Sequence, residues 1–247
     1  LHVVYLEYDT INVYMAQQPF TELRAIHINA MKYPTDMSSC SISNCLYVAD
    51  DGSGCVWRVN TYNTVDKWLQ VTGALSLSVT LEGQVVLLIL TEVQGSEDSR
   101  TYRGRVEVYN AAGLKLSVIK LPNNIINPYS VIQSANKTFI ISHGASWTEQ
   151  QRVVEVNNEG KIIASFGGSR GSGLGQLNGP MYNVFDSEER VLVADCDNHR
   201  VLLLNRQLDT QLRVLINWNN NVVPWSLCYD NETAQLMVGV YGKSNTV

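Results

Sequence analysis

The chain has few of the features that would place it in a membrane, nucleic-acid-binding or disulfide-rich class. Charged residues make up 17% of its 247 residues, and the formal net charge is −5. This balance opposes the broad basic surface that binds nucleic acid independently of sequence. No run of about 18 or more apolar residues occurs, so we predict no membrane-spanning helix. The first residues, Leu1–Tyr5, are strand-like and lack a basic segment, so we do not expect them to form a signal peptide.

Cysteine and histidine are too few and too scattered to form a recognisable metal motif. The five cysteines are odd in number, and their spacing fits neither a zinc ribbon nor a redox pair. Cys40 and Cys45 are candidates for a disulfide across a hairpin; the alternative is that they are small buried hydrophobic residues. The four histidines are widely separated along the chain: His2, His27, His143 and His199.

Two glycosylation sequons fall where we expect turns between strands. They are Asn136-Lys137-Thr138 and Asn231-Glu232-Thr233. An acceptor asparagine belongs in a surface loop, so Asn136 and Asn231 are candidate glycosylation sites. The two sequons slightly favour an extracellular over a cytoplasmic location and leave the compartment open.

One short pattern returns six times along the chain. It consists of a mostly polar residue, a β-branched residue, three mostly apolar positions and, in most copies, Asn. The copies begin 45, 50, 47, 48 and 46 residues apart, at Thr10, Cys55, Arg105, Arg152, Arg200 and Thr246. A period in this range is typical of solenoids, propellers and arrays.

Within each repeat the apolar period is two, which predicts strands rather than helices. Residues 45–60 form two β-rich runs around a polar turn, and residues 190–205 repeat this hairpin at an offset of 145. A short strand precedes the hairpin, often starting at a proline, and another strand follows it. Four strands in a repeat of this length indicate a β-propeller, and we expect no helix.

The number of copies predicts an all-β domain over residues 1–247, a six-bladed β-propeller of four-stranded antiparallel blades, with five blades as the alternative. The first unit begins at its second strand and the last stops on its third, so we expect the outermost strands to be missing and the chain to be part of a longer polypeptide. The expected blades span residues 1–30, 31–73, 74–124, 125–176, 177–220 and, in part, 221–247.

The most specific motif lies between Gly167 and Val201. A glycine-rich link leads to Pro180, a strand ends in Val193-Ala194-Asp195, and a turn reads Asp197-Asn198-His199-Arg200-Val201. These residues resemble the NHL repeat. The hairpin at 45–60 matches well, with Cys55 in place of the arginine, and the copy at Arg152 has Ser142-His143 in place of Ala-Asp. The resemblance implies an NHL propeller but no single function, because fold and function separate.

Some propellers that are similar to NHL proteins are enzymes. Amidating lyases of similar fold hold zinc through histidines near the starting prolines, where this chain has none. Propeller lactonases hold calcium at the channel mouth, for which Asp36, Asn127 and Asn183 are weak oxygen-donor candidates. No catalytic nucleophile with a base partner is visible, so we predict no catalytic residue and no cofactor, with calcium as the alternative. RNA binding by one face, known for some NHL proteins, is disfavoured by the negative charge.

Two further motifs favour structure over chemistry. The glycine-rich segment 167–175 lacks the Gly-Lys-Ser/Thr ending of a phosphate loop, so we interpret it as a link between blades. Asp195 and Arg200 flank one tight turn, where the guanidinium can hold the carboxylate or turn carbonyls, so we predict a structural pair.

The mouth of the central channel remains as the candidate binding site. Innermost strands begin there, and aromatic residues with polar groups commonly anchor recognition sites. The candidate residues are Thr35, Asp36, Tyr129, Met181, Tyr182 and Trp225, with Trp147 in a polar loop as a further contact. We therefore predict a non-enzymatic module that binds a protein or peptide; the alternatives are a metal-dependent propeller enzyme and an RNA-binding propeller.

Overall fold

The structure is a computed structural model, and it describes residues 2–7, 9–15, 21–94, 100–144, 150–218 and 222–241. Over these ranges the chain is all-β, and the helical content consists of a single 3₁₀ turn at Cys196–Asn198. No helix in the described part of the chain is long and apolar enough to cross a membrane. Trp147 and the sixth pattern copy at Thr246 lie outside the described residues.

The strands form antiparallel sheets whose members follow chain order. The first sheet has three strands: β1 His2–Glu7, β2 Thr10–Met15 and β3 Thr21–His27. The next has four: β4 Pro34–Cys40, β5 Cys45–Asp50, β6 Cys55–Asn60 and β7 Val65–Gln70. The third also has four: β8 Ala74–Val79, β9 Val85–Gln94, β10 Thr101–Tyr109 and β11 Lys115–Lys120.

Two more four-stranded sheets and a two-stranded one complete the described architecture. The fourth sheet contains β12 Pro128–Gln133, β13 Phe139–His143, β14 Gln150–Val156 and β15 Ile162–Ser169. The fifth contains β16 Pro180–Phe185, β17 Val191–Asp195, β18 Arg200–Leu204 and β19 Gln211–Asn217. The last contains β20 Val223–Asp230 and β21 Gln235–Tyr241.

The four-stranded sheets are blades of a β-propeller. Their first strands, β4, β8, β12 and β16, contact one another in chain order, and β20 contacts β16 in the same way. These strands are therefore innermost, and the fourth strand of each blade is outermost. The described ring has four complete blades, so the predicted count of six, and the alternative of five, are wrong. The repeated pattern gave too many blades because it marks a hairpin and not a complete blade. Its first copy, for example, lies in a sheet of three strands.

Apolar packing joins each sheet to the next. One buried cluster combines Val86, Leu88 and Val106 of the β8–β11 blade with Phe139 and Val154 of the β12–β15 blade. Equivalent clusters connect each remaining pair of neighbouring sheets. Because the main apolar faces lie between sheets, a single blade cannot bury its own hydrophobic surface, which is the general property of repeat architectures.

The asparagine that ends the repeated pattern holds the turn between the third and fourth strands. Asn60 Oδ1 accepts hydrogen bonds from the backbone N–H groups of Tyr62, at 2.9 Å, and Thr64, at 3.0 Å. Asn110 and Asn157 make the same pair of contacts in two other blades, and Asn205 Oδ1 accepts from Asp209 N and Thr210 N in the last. This is the self-bonding that asparagine offers in turns, and it gives the periodic Asn a structural reason.

The strand directions define two faces of the propeller. The face on which the innermost strands begin also carries the turns between second and third strands and the links between blades; we name it the mouth face. The opposite face, named the rear face, carries the turns between first and second strands and between third and fourth strands. The turn at 134–138 and the turn at 231–234 both lie on the rear face.

Candidate binding site at the mouth of the propeller

A β-bulge occurs near the start of every innermost strand. In β4 the register passes from Pro34↔Asp50 to Asp36↔Ala49 and leaves Thr35 without a partner. The bulged residues of the other strands are Leu75, Tyr129, Met181 and Trp225. Bulges re-aim side chains near sites. Four of these five residues were predicted from the starting prolines; Leu75 was missed because β8 begins at Ala74 instead of proline.

In β4, β8 and β12 the residue after the bulge supplies a hydrogen-bond acceptor to the next blade. Leu77 N donates to Asp36 Oδ2 at 2.8 Å. Val131 N donates to Ser76 Oγ at 3.3 Å. Asn183 N donates to Ser130 Oγ at 3.2 Å. These bonds form a polar belt around the axis that ties the innermost strands of the four complete blades together in chain order.

Tyr182 occupies the same position in β16 but makes a different contact. Its hydroxyl donates to Asp36 Oδ1 at 2.9 Å, connecting the last complete blade with the first. The structure thus brings together two predicted mouth residues that lie far apart in the chain. Because this bond joins β16 to β4 while β8 and β12 link the same two strands in chain order, it closes the belt. We name the Tyr182–Asp36 pair the floor of the mouth.

Asp36 is the ionisable group of this floor. Burial raises its pKa from 3.8 to about 6, and the donors Leu77 N, Tyr182 and Met37 N oppose that rise by stabilising the carboxylate. Burial also raises the pKa of Tyr182 well above its usual value, with the Asp36 charge acting in the same direction. The tyrosine therefore stays a hydrogen donor across the physiological pH range.

Large side chains on the mouth face are exposed above this floor. Trp225 is 56% exposed, Tyr33 68% and Leu174, in the glycine-rich link, 86%. Tyr129 is partly buried, and burial together with the nearby Asp197 raises its pKa. An aromatic and apolar surface with polar groups nearby is the composition of recognition sites.

Thr35 and Met181 serve mainly to pack the blades. Thr35 Oγ1 donates to Ala74 O of the next blade at 2.8 Å. Met181 is partly buried in the cluster that joins the β16–β19 blade to β20 and β21. Both residues therefore contribute to the contacts between neighbouring sheets near the mouth face.

Asp195 and Arg200 lie on the mouth face and hold the link that leads into the β16–β19 blade. Arg200 Nε contacts Asp195 Oδ2 at 2.7 Å, and its two other nitrogens donate to Ser172 O and Gln176 O. Asp195 also accepts from Asn178 N at 2.6 Å, just before Pro180. Burial raises the pKa of Asp195. The arginine fork therefore ties the glycine-rich link to the blade.

The β4–β7 blade reaches the same result without arginine. Asp50 accepts from Tyr33 N at 2.7 Å and Lys32 N at 3.0 Å. Cys55 stands at the arginine position, and Trp57 Nε1 donates to Asp50 Oδ2 at 3.1 Å instead. The side chain that donates to the aspartate is therefore two residues further along than the arginine of the motif, which the sequence motif does not show.

The weak calcium candidates are used within the fold. Asn127 is buried, and its Oδ1 accepts from Tyr102 N at 2.8 Å. The Asn183 amide is buried between Tyr182 O and Ser142 N, at 3.2 and 3.1 Å. Among the described residues, no three His, Cys, Asp or Glu side chains are grouped so that they could hold a metal ion.

The histidines whose side chains are described are dispersed. His143 is buried at the end of β13, and burial, with Arg152 nearby, lowers its pKa to about 4. His199 Nδ1 lies 3.0 Å from Val222 O, and His27 Nδ1 lies 2.9 Å from Thr10 Oγ1. These contacts place the three residues in separate sheets.

The remaining sequence candidates lie on or near the rear face. Cys40 and Cys45 are directly paired across the β4–β5 hairpin, and both are buried free thiols. The disulfide therefore stays a prediction, with the two backbones correctly opposed. Asn136 and Asn231 are exposed in turns on this face.

Comparison with known proteins shows the fold and no more. No family model matches the chain, and no curated protein matches it in sequence. A solved protein of unknown function from Bacteroides caccae is similar in structure, with a TM-score of 0.67, 11% identity, and coverage of 92% of this chain and 78% of that chain. A chain of a nidogen/laminin complex is similar with a TM-score of 0.66 and 13% identity, covering 98% of this chain and 93% of that one. The chain is therefore a β-propeller, and its membership of the NHL family stays a prediction.

Proposed function

We propose that this propeller is a non-enzymatic binding module that recognises a protein or peptide through its mouth face. The observation that carries the proposal is the exposed Trp225, together with Tyr33 and Leu174, above a floor closed by Tyr182 and Asp36. Together these side chains offer an aromatic and apolar surface to a partner, with the carboxylate of Asp36 below it. Exposed aromatic side chains with polar edges are the groups that most often dominate binding energy.

The chemistry of the floor favours binding over catalysis. Both carboxylate oxygens of Asp36 accept hydrogen bonds, from Leu77 N, Met37 N and the Tyr182 hydroxyl. A carboxylate so occupied is poorly placed to act as a base or nucleophile, which must be within reach of a substrate proton or carbon. The nidogen/laminin structure supports the proposal in kind, because that similar chain was solved in a complex between proteins.

The family proposal rests on the turn that joins the second and third strands of the β16–β19 blade. We propose that the blades are NHL-type, supported by the Asp195–Arg200 pair that holds the glycine-rich link. A sequence profile built from the four structurally aligned blades should recover NHL repeats; a profile that recovers another propeller family first would contradict this.

A random peptide library displayed on phage tests the binding proposal. The full chain is immobilised, and selected peptides are measured by titration calorimetry. We expect binding to weaken at least about tenfold with Trp225→Ala, as for a hot-spot aromatic residue. Leu81→Ala is the matched control, because Leu81 is 88% exposed on the rear face. Peptides that respond to Leu81→Ala and ignore Trp225→Ala and Tyr33→Ala would contradict the proposal.

A further inference from the structure

Both sequons occupy the same type of turn on the same face. Asn136 lies in the turn between β12 and β13, and Asn231 in the turn between β20 and β21. Each turn joins a first to a second strand, so both lie on the rear face, away from Tyr33 and Trp225. Both asparagines are exposed, as an acceptor in a surface loop must be.

The Asn136 turn borders a cleft between two blades. The cleft has a volume of about 410 Å³ and is lined by Asn136, Thr138, Glu155, Ile163, Arg206 and Gln207. Ile163 is 51% exposed there. Arg206 Nη1 contacts the buried Glu155 at 3.1 Å, and the Thr138 hydroxyl donates to the same carboxylate. The lining thus combines one apolar wall with amide and guanidinium donors.

This combination suits a sugar. A pyranose ring has an apolar face of C–H groups and a rim of hydroxyls, so it can pack against Ile163 while its hydroxyls meet Gln207 and Arg206. A sugar attached to Asn136 loses little translational freedom when it enters the cleft, because the covalent bond already holds it beside the cleft. Asn136 itself lines the cleft, so a sugar attached to it starts at the cleft's edge.

We propose that Asn136 and Asn231 carry N-linked glycans when the chain passes through a secretory pathway, and that the first sugars on Asn136 occupy the cleft between the β12–β15 and β16–β19 blades. Both glycans project from the rear face and leave the mouth face bare. This inference stands independently of the proposed binding function, because it concerns the opposite face.

Secretion of the full chain behind a cleavable signal peptide from cultured animal cells tests the occupancy. Intact mass is measured before and after treatment with peptide N-glycosidase. We expect two glycans in the natural chain, one in Asn136→Gln, one in Asn231→Gln and none in the double variant. Asn158→Gln, in an exposed rear-face turn without a sequon, should keep both. Secreted chain whose mass does not change on treatment would overturn the proposal.

The position of the glycans is tested by hydroxyl-radical footprinting of the same material. Oxidation of Ile163 should increase in Asn136→Gln, while oxidation of Trp225 and Tyr33 should stay unchanged. Asp51→Asn creates an Asn-Gly-Ser sequon on the mouth face, where Asp51 N bonds Tyr33 O at 3.1 Å. The added glycan should protect Tyr33. Equal Ile163 oxidation with and without the Asn136 glycan would overturn the placement in the cleft.

Discussion

The Tyr182 hydroxyl donates a hydrogen bond to Asp36 Oδ1 at 2.9 Å across 146 residues of sequence. Asp36 belongs to the first complete blade and Tyr182 to the last. Neighbouring blades are connected through backbone N–H groups and short acceptors, such as Val131 N and Ser76 Oγ. The tyrosine side chain is longer than that of serine, so the Tyr182 side chain connects β16 of the last complete blade with β4 of the first.

Removing this hydroxyl should loosen the ring with little other change. We expect Tyr182→Phe to lower the free energy of unfolding by about 1 kcal/mol, the usual net contribution of one hydrogen bond, or somewhat more because the acceptor is charged. Urea denaturation at pH 7 measures the effect. Tyr62→Phe, at an exposed turn position, is the control and should change nothing. Equal stability of Tyr182→Phe and the natural chain would show that the bond does not hold the blades.

Asp36 should make the stability depend on pH in a particular direction. Its pKa is 3.8 ordinarily and about 6 in the fold, so the folded chain binds more protons between these values. Its contribution to stability is most favourable below about pH 4 and decreases as the pH rises through 6. The two-unit shift corresponds to about 3 kcal/mol.

Comparison with Asp36→Asn isolates this contribution, because the amide does not titrate. We expect the difference in unfolding free energy between the natural chain and Asp36→Asn to shift by about 2 kcal/mol, against the natural chain, between pH 4 and pH 7. Denaturant titrations at several pH values measure it. A constant difference would mean that folding leaves the pKa of Asp36 unchanged, and one of opposite sign that folding lowers it.

Arg200 should be costly to remove. Arg200→Met leaves the buried carboxylate of Asp195 without its ion-pair partner, so we expect a loss of about 3 kcal/mol at pH 7. Trp57→Phe removes a single bond to the equivalent Asp50 and should cost about 1 to 2 kcal/mol. Thermal and urea unfolding of both variants gives the comparison.

The double variant Arg200→Met with Asp195→Asn checks the cause. It removes the uncompensated charge, so it should recover part of the loss. If the double variant is no more stable than Arg200→Met alone, the loss comes from the contacts of Arg200 with Ser172 O and Gln176 O and not from the charge.

The turn asparagines should each contribute measurably. Asn157 Oδ1 accepts from Glu159 N at 3.1 Å and Lys161 N at 2.8 Å. We expect Asn157→Ala to destabilise the fold by about 1 kcal/mol, because two backbone N–H groups of the turn lose the Oδ1 acceptor and must bond to water instead. Asn158→Ala, at the exposed neighbouring position, should stay within about 0.5 kcal/mol of the natural chain, as is usual for surface substitutions. Similar losses in both variants would contradict the assigned role.

Much of the fold was predictable because its signals are local. Alternating apolar residues and polar turns around residues 50–54 and 195–200 were enough to define hairpins, and the starting prolines located four of the innermost strands. The number of blades was not predictable in this way. A hairpin pattern cannot report whether a first and a fourth strand flank it, and the sheet containing the Thr10 copy has three strands.

The candidate site was predictable only in part. The sequence pointed to Asp36, Tyr129, Tyr182 and Trp225 as mouth residues but gave no reason to pair Tyr182 with Asp36. It also showed Cys55 in place of the arginine, but not that Trp57 supplies the donor from two residues further along. Such substitutions depend on where a side chain points in three dimensions, which spacing does not encode.

The sequence by itself determined the strand class, the repeat length and the turn chemistry of this protein, because these follow from interactions within about a dozen residues. Only the tertiary structure decided how many blades are complete, that Tyr182 closes the floor on Asp36, and that Asn136 borders a cleft between two blades. Those features join residues between roughly 50 and 146 positions apart, and contacts over that separation are set by how the blades pack against one another.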